Sequence, residues 1–242
     1  MPAAPCLINV VNPNTTQSMT DVIAEAARAC ASPGTTIVGR TSSFGPASIE
    51  GHYDEALATI GLLKAVEAGD KDGCQAHIVA CFGDPGLLAA REITRAPVLG
   101  IAEAAMRAAT FVAINFSVVT TLTRTRIIAE HLVRNYGMEH ACRNVRAVDV
   151  AVLDLDKPES NVRGLLLDEC HAALKHDGCG AIVLGCAGMA DLAKDLSDEL
   201  GVPVIDGVAA AVKFAEALVG IGLQTSKHGD LAFPLPKQRS PF

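Results

Sequence analysis

The sequence predicts an α/β fold made of two similar half-chain units, and three observations carry that prediction. Short β-branched runs alternate with longer Ala-rich stretches of helical period. The short runs are mostly unbroken apolar segments, the pattern of parallel strands covered by helices on both faces. The chain also repeats itself. IVACFGDPGLLAA at Ile78–Ala90 has a counterpart in IVLGCAGMADLAK at Ile182–Lys194, with the two cysteines 186 − 81 = 105 positions apart. PVLGIAEAA at Pro97–Ala105 answers PVIDGVAAA at Pro203–Ala211, an offset of 106. INVVNPNTT at Ile8–Thr16 has a weaker echo in FSVVTTLTRT at Phe116–Thr125, where an apolar run likewise ends in small polar residues.

Taken in chain order, strands are expected at Cys6–Val11, Thr35–Arg40, His77–Ala80, Val98–Ile101, Phe116–Thr120, Val145–Val152, Ala181–Leu184 and Val204–Asp206. Helical period and composition mark Thr16–Ala31, Tyr53–Ala68, Arg124–Tyr136 and Val162–His176. The late apolar stretch Val208–Leu223 is interrupted by Lys213 and Glu216, so it reads as one more helix and not as a membrane span.

Composition narrows the function. Of 242 residues, 50% are hydrophobic but only 4% aromatic, so the core must be built from Ala, Val, Leu and Ile. A formal charge of −7 without a Lys/Arg cluster argues against nucleic acid as a partner, since phosphate binding needs a basic face. No membrane segment is expected. The opening MPAAPCLINVVNPN lacks a basic start and a long apolar run, so no export signal is expected either. Eight cysteines form no CxxC pair, which reads as reduced thiols in a cytoplasmic protein and not as a disulfide framework. No His/Cys/Asp set converges at ligand spacing, so no catalytic metal is expected.

The chemistry rests on Cys81 and Cys186. Each ends an expected strand and is followed two residues later by glycine. Such a thiol can be a small hydrophobe that packs, or it can react. Sites in open parallel sheets form beyond the carboxyl ends of strands, so two facing units would bring both cysteines to one cleft. A strand end that precedes a helix lies near the positive end of its dipole, which lowers a thiol pKa from ~8.5 toward neutrality. Two such thiols on opposite sides of one carbon form a two-base pair. One removes a proton, the other returns a proton to the opposite face, and the product is racemised without redox cofactor, metal or pyridoxal.

Further stretches carry a family likeness. NPNT at Asn12–Thr15, GPASIEGHYDEA at Gly45–Ala56, ACFGDPGLLAARE at Ala80–Glu92, PVLGIAEAAM at Pro97–Met106, VLGCAGMADL at Val183–Leu192 and SKHGDLAFP at Ser226–Pro234 resemble the hydantoin and allantoin racemases of the aspartate/glutamate racemase superfamily. The likeness runs in order along nearly the whole chain. It implies two flavodoxin-like domains about a pseudo-twofold axis with the active site between them, the final helix returning to the first domain. The division is then 1–100 plus 209–242, carrying Cys81, and 101–208, carrying Cys186. The resemblance also implies cofactor-independent racemisation by those two cysteines, a homo-oligomer, and allantoin as substrate in purine catabolism. The alternatives are racemisation of amino-acid-derived hydantoins in a hydantoin-utilisation pathway, or a non-enzymatic ligand-binding or redox-sensing protein with a reactive Cys81.

Departures from the superfamily pattern bear on the substrate. Glutamate racemases follow the first cysteine with Asn-Thr and the second with Thr-His. Here Phe82-Gly83 and Ala187-Gly188 stand there, leaving little to pair with an amino acid's charged ends. A small neutral ring presenting amides to the backbone, such as allantoin or a 5-substituted hydantoin, fits better. Arylmalonate decarboxylases, related in fold, keep only one of the two cysteines, so the presence of both favours racemisation.

Other residues take candidate roles. Phe82, Gly83, Ala187 and Gly188 are expected to offer backbone N–H groups to a developing enolate, or to shape tight turns. Asn14 is either a substrate-binding amide or an Asx turn ahead of a helix. Thr120 and Thr121 either line the opposite wall or cap. Ser48 and Ile49 are expected in a loop over the cleft, His52 is expected to be structural, and Asp84 and Asp191 are expected to cap helices. The other six cysteines read as core.

Overall fold

A computed structural model describes residues 6–155, 157 and 161–238. The expected cap at Asp191 concerns a side chain outside that description. Eight strands and eight helices alternate through the described residues. In the first half, β1 (Cys6–Asn12), β2 (Thr35–Thr41), β3 (Ala76–Val79) and β4 (Val98–Gly100) form a parallel sheet of order β2-β1-β3-β4. In the second, β5 (Phe116–Thr120), β6 (Cys142–Ala147), β7 (Ala181–Leu184) and β8 (Val204–Ile205) form a parallel sheet of order β6-β5-β7-β8. The predicted α/β class with two similar parallel-sheet units is what the molecule has.

The helices are α1 (Gln17–Cys30), α2 (His52–Lys71), α3 (Leu87–Ile93), α4 (Ile101–Val112), α5 (Arg126–Asn135), α6 (Val162–His176), α7 (Ala193–Leu200) and α8 (Gly207–Gly220). The sequence echoes recur as hydrogen bonds. Ala80 N–H donates to Val11 C=O at 2.9 Å, and Gly185 N–H to Val119 C=O at 2.8 Å. His77 N–H donates to Pro97 C=O and Ile182 N–H to Pro203 C=O, both at 2.9 Å. Each sheet thus ends in the same backbone arrangement, immediately before its cysteine.

One strand departs from expectation. The run Val145–Val152 was expected to be extended throughout, yet β6 starts at Cys142 and stops at Ala147. Asp149 takes a left-handed φ of 55°, and its carboxylate accepts from the Thr123 N–H at 2.8 Å and hydroxyl at 3.0 Å. That turn ends the strand. β6 lies at the sheet edge and is held there by side chains: Arg146 Nε donates to Asp177 Oδ2 at 2.7 Å, and Asn144 Nδ2 to Asp177 Oδ1 at 3.2 Å. Hydrophobic pattern does not register such anchors.

The two sheets exchange their last helices. From α4, Ala105, Met106 and Ala109 join Phe116, Val118 and Val183 of the second sheet in one buried cluster. From α8, Val208, Ala211, Val212 and Ala215 join Ile8, Val10, Ile78 and Leu99 of the first. Alanine spacing on both helices lets backbone approach sheet closely, and burial of this apolar surface, at roughly 25 cal/mol/Å², binds the halves together.

Candidate active site

Both cysteines sit two residues beyond the end of a central strand, on turns of matching form. Cys81 C=O accepts from Asp84 N–H at 2.9 Å, and Cys186 C=O from Met189 N–H at 3.2 Å. The two thiols line one cavity, Cys81 from the first half and Cys186 from the second. The cavity is narrow, with about 60 Å³ of interior space.

Of the sequence-predicted site residues, this cavity gathers Cys81, Cys186, Asn14, Ile49, Phe82, Gly83, Thr120, Thr121 and Ala187. Ser48 and Gly188 are not among its lining residues. Ser48 is half-buried one position before Ile49. Gly188 backs onto Leu155, where an added Cβ would lie 3.0 Å from Leu155 Cδ1 and 3.9 Å from Cys186 Sγ.

Asn14 makes the Asx turn and also lines the cavity. Its Oδ1 accepts from Thr16 N–H at 2.9 Å, an Asx turn ahead of α1, and from Asn12 Nδ2 at 2.8 Å. Its Nδ2 meets only the Met19 sulfur, at 3.3 Å. A thioether is a weak acceptor, so this amide can turn to a carbonyl in the cavity. Thr120 is committed differently, its hydroxyl donating to Gly185 C=O at 3.0 Å. The N–H groups of Phe82, Ala187 and Gly188 have no backbone acceptor among the described residues.

The expected lowering of the thiol pKa is reversed at Cys81. Burial pushes this thiol well above its ordinary range, and the charges of Cys186, Asp84 and Glu55 add to the rise, while the Gly83 N–H pulls the other way. Burial is the main cause, and α3, the helix that follows, begins only at Leu87, six residues on. A thiolate that is costly to form is also a stronger base, which suits a carbon acid.

Asp84 caps a helix, though not the one that follows it. Its carboxylate reaches the start of α4, accepting from Ala102 N–H at 3.1 Å and Glu103 N–H at 2.9 Å. The hydroxyl of Tyr136, at the end of α5, donates to the same group at 2.6 Å. Gly100 makes room for it, because a Cβ there would lie 2.2 Å from the carboxyl carbon.

Sequence reasoning missed Glu55. It lines the cavity beside Cys81 from the first turn of α2, and His52 Nδ1 holds its Oε2 at 3.0 Å. The ring of His52 stacks on His131 of α5, centroids 6.0 Å apart. Spacing of three on a helix start, His52 to Glu55, is the signal that could have found it. Asn12, Met19, Thr125, Ile128 and Val152 also line the cavity; the second-half members among them carry no local mark. Of the other cysteines, Cys74, Cys170 and Cys179 are buried and Cys6, Cys30 and Cys142 half-buried. Among the described residues no set of three or more His, Cys, Asp or Glu converges as a metal site, and no helix is long and apolar enough to cross a membrane.

Known proteins share this architecture. The family model for Asp/Glu/Hydantoin racemase matches residues 8–215. A hydantoin racemase from Pseudomonas sp. (strain NS671) is 47% identical over 232 residues, 96% of this chain and 93% of that protein. The structure of allantoin racemase from Klebsiella pneumoniae superposes with a TM-score of 0.96 at 54% identity, covering 98% of this chain and 96% of that one. That of allantoin racemase from Pseudomonas fluorescens gives 0.94 at 42% identity, covering 97% and 100%.

Proposed function

The chain belongs to the Asp/Glu/Hydantoin racemase family and is an isomerase of the hydantoin/allantoin racemase type; from that premise we propose that it interconverts the enantiomers of allantoin with Cys81 and Cys186 as a two-base pair. What supports the mechanism is one observation, that the two cysteines line a single cavity from opposite halves.

In the step proposed, one cysteine as thiolate takes the C5 proton, and the electron pair left on carbon delocalises onto the neighbouring ring carbonyl as an enolate. The opposite cysteine, as thiol, delivers its proton to the other face of C5. The ring returns to its neutral form inverted, and the pair has exchanged protonation states. The charge each sulfur exerts on the other favours one shared proton deficit over two thiolates. The backbone N–H groups of Phe82 and Ala187, both lining the cavity, would stabilise the enolate oxygen, and the Asn14 amide would hold a second carbonyl. Gly83 N–H serves the Cys81 sulfur.

Small residues beside both cysteines, and the 54% identity to the Klebsiella pneumoniae protein, support allantoin. The 47% identity to hydantoin racemases supports amino-acid-derived hydantoins as the second reading. The proposal extends to domains of 1–100 plus 209–242 and 101–208, supported by the seating of α8 on the first sheet. It includes a cytoplasmic homo-oligomer in purine catabolism, supported by the family likeness and, for the oligomer, by exposed Phe111, Ile114 and Ile221.

One allantoin enantiomer incubated with the enzyme in deuterated water tests the reading. Loss of optical rotation with deuterium at C5 is expected; retained rotation at high enzyme concentration would sink it. Comparing kcat/KM for allantoin and 5-benzylhydantoin separates the two substrates.

A further inference from the structure

Among the described residues, Glu55 is the one charged side chain lining the cavity. A carboxylate beside Cys81 is a hindrance to the proton transfers themselves. Its charge pushes the Cys81 thiol up, and it would repel an enolate. A chain that keeps it there needs it for something other than the reacting carbon.

Its placement is held from two sides. His52 Nδ1 engages Oε2 at 3.0 Å, and the side chain is only 18% exposed. The other oxygen lies over Gly83, where an added Cβ would come within 2.5 Å of Oε1. Gly83 does not have a left-handed φ, so what its missing side chain provides is room for this carboxylate. Oε2 is engaged by His52, and Oε1 is directed at the cavity wall that carries Cys81. Around it the first-half lining supplies apolar Ile49 and Met19 and the amide of Asn14. Among these groups, a carboxylate accepts hydrogen bonds and cannot donate them.

We propose that Glu55 is the specificity-determining residue for the C5 substituent: Oε1 accepts N–H hydrogen bonds from a ureido or similar amide group carried on C5. This rests on the cavity being the racemisation site. The substrate class is then a hydantoin ring whose substituent bears N–H donors. A substituent ending in a carboxylate is repelled, and an apolar one leaves Oε1 desolvated and unmatched, a costly outcome.

The wild-type enzyme provides a test that needs no variant. 5-Carbamoylmethyl- and 5-carboxymethyl-hydantoin have nearly the same shape and differ in offering N–H donors or a negative charge. As inhibitors of allantoin racemisation, the carbamoyl compound is expected to bind at least about tenfold more tightly; equal binding, or tighter binding of the carboxylate, overturns the proposal. Glu55→Gln adds the second arm. It should lower kcat/KM for allantoin by about 10- to 100-fold, mainly through KM, while kcat/KM for 5-benzylhydantoin rises because no desolvated carboxylate is left facing the apolar group, and the carboxylate inhibitor tightens. A parallel loss on both substrates, or a loss confined to kcat, overturns a role in reading the substituent. A wild-type enzyme that racemises 5-benzylhydantoin but not allantoin overturns Glu55 selectivity while leaving the two-cysteine site standing. One that racemises neither removes the site reading itself.

Discussion

Phe82 and Ala187, the residues directly after the two cysteines, are each buried in the core of the opposite half. Phe82 packs with Met106, Phe116 and Val183 in the second-sheet cluster, and Ala187 with Ile8, Val10 and Val208 in the first. The cysteine turns are therefore clamped across the interface. Exchange of α4 and α8 holds the sheets together, and the crossed burial of residues 82 and 187 fixes where the sulfurs stand.

Phe82→Ala tests the clamp. Phe82 is 6% exposed, and truncation of a buried Phe costs about 3–5 kcal/mol in transfer and cavity terms. Urea unfolding followed by circular dichroism should show that loss, and kcat should fall with it because the Cys81 turn is no longer anchored. A stability change below about 1 kcal/mol would show that the ring is not a structural clamp.

Much of this arrangement was readable in advance because it is local and repeated. The 105-residue spacing of Cys81 and Cys186 and the Pro97/Pro203 pair mark equivalent backbone positions, and those positions make equivalent hydrogen bonds. What could not be read depends on tertiary approach. Nothing in α4 says that Met106 covers the other sheet. The early stop of β6 follows from a turn at Asp149 that an apolar run conceals. The thiol of Cys81 shifts upward because burial outweighs the dipole argument once α3 is seen to start at Leu87. Glu55 sits on a helix start like many surface acids, and only the fold turns it inward.

Replacement of either sulfur should stop inversion without stopping all proton chemistry. Cys81→Ser and Cys186→Ser are each expected to abolish racemisation measured by polarimetry. Each should still exchange the C5 proton of the one enantiomer facing the remaining thiol, visible as deuterium incorporation by proton NMR. The two variants should therefore exchange opposite enantiomers. If either retained near wild-type turnover, or both labelled the same enantiomer, a two-base mechanism would be excluded.

Gly185 is constrained by contact and not by backbone angle. A Cβ there would sit 2.6 Å from Thr120 Cβ and 2.8 Å from Thr120 Cα, so β5 and β7 would have to separate where they deliver Thr120 and Cys186. Gly185→Ala should cost about 1–3 kcal/mol by overpacking and weaken the hydrogen bond from the Thr120 hydroxyl to the residue 185 carbonyl. The expected signature is lower kcat in both directions of racemisation together with a reduced urea midpoint. An unchanged kcat would mean that the end of β7 does not set the position of Cys186.

Asp84 couples the Cys81 turn to pH. Burial raises its carboxyl to about 6 from an ordinary 3.8, although Tyr136 and the N–H groups of Glu103 and Ala102 oppose the rise. Between those values the folded chain holds a proton that the unfolded chain has released. The stability Asp84 contributes is therefore full below about pH 4 and is lost as pH rises through 6. The whole change is on the order of 3 kcal/mol, from about two pKa units at 1.36 kcal/mol each. Asp84→Asn cannot titrate, so the difference in unfolding free energy, wild type minus variant, should decline from pH 4 to pH 7 and flatten beyond. Taking the difference cancels groups common to both proteins, including His77, whose pKa burial lowers and which weakens the fold as pH drops below its ordinary 6.5. A difference that stays level across this range would place the Asp84 carboxyl in its ordinary ionised state, making its capping of α4 a fixed anchor and not a titrating one.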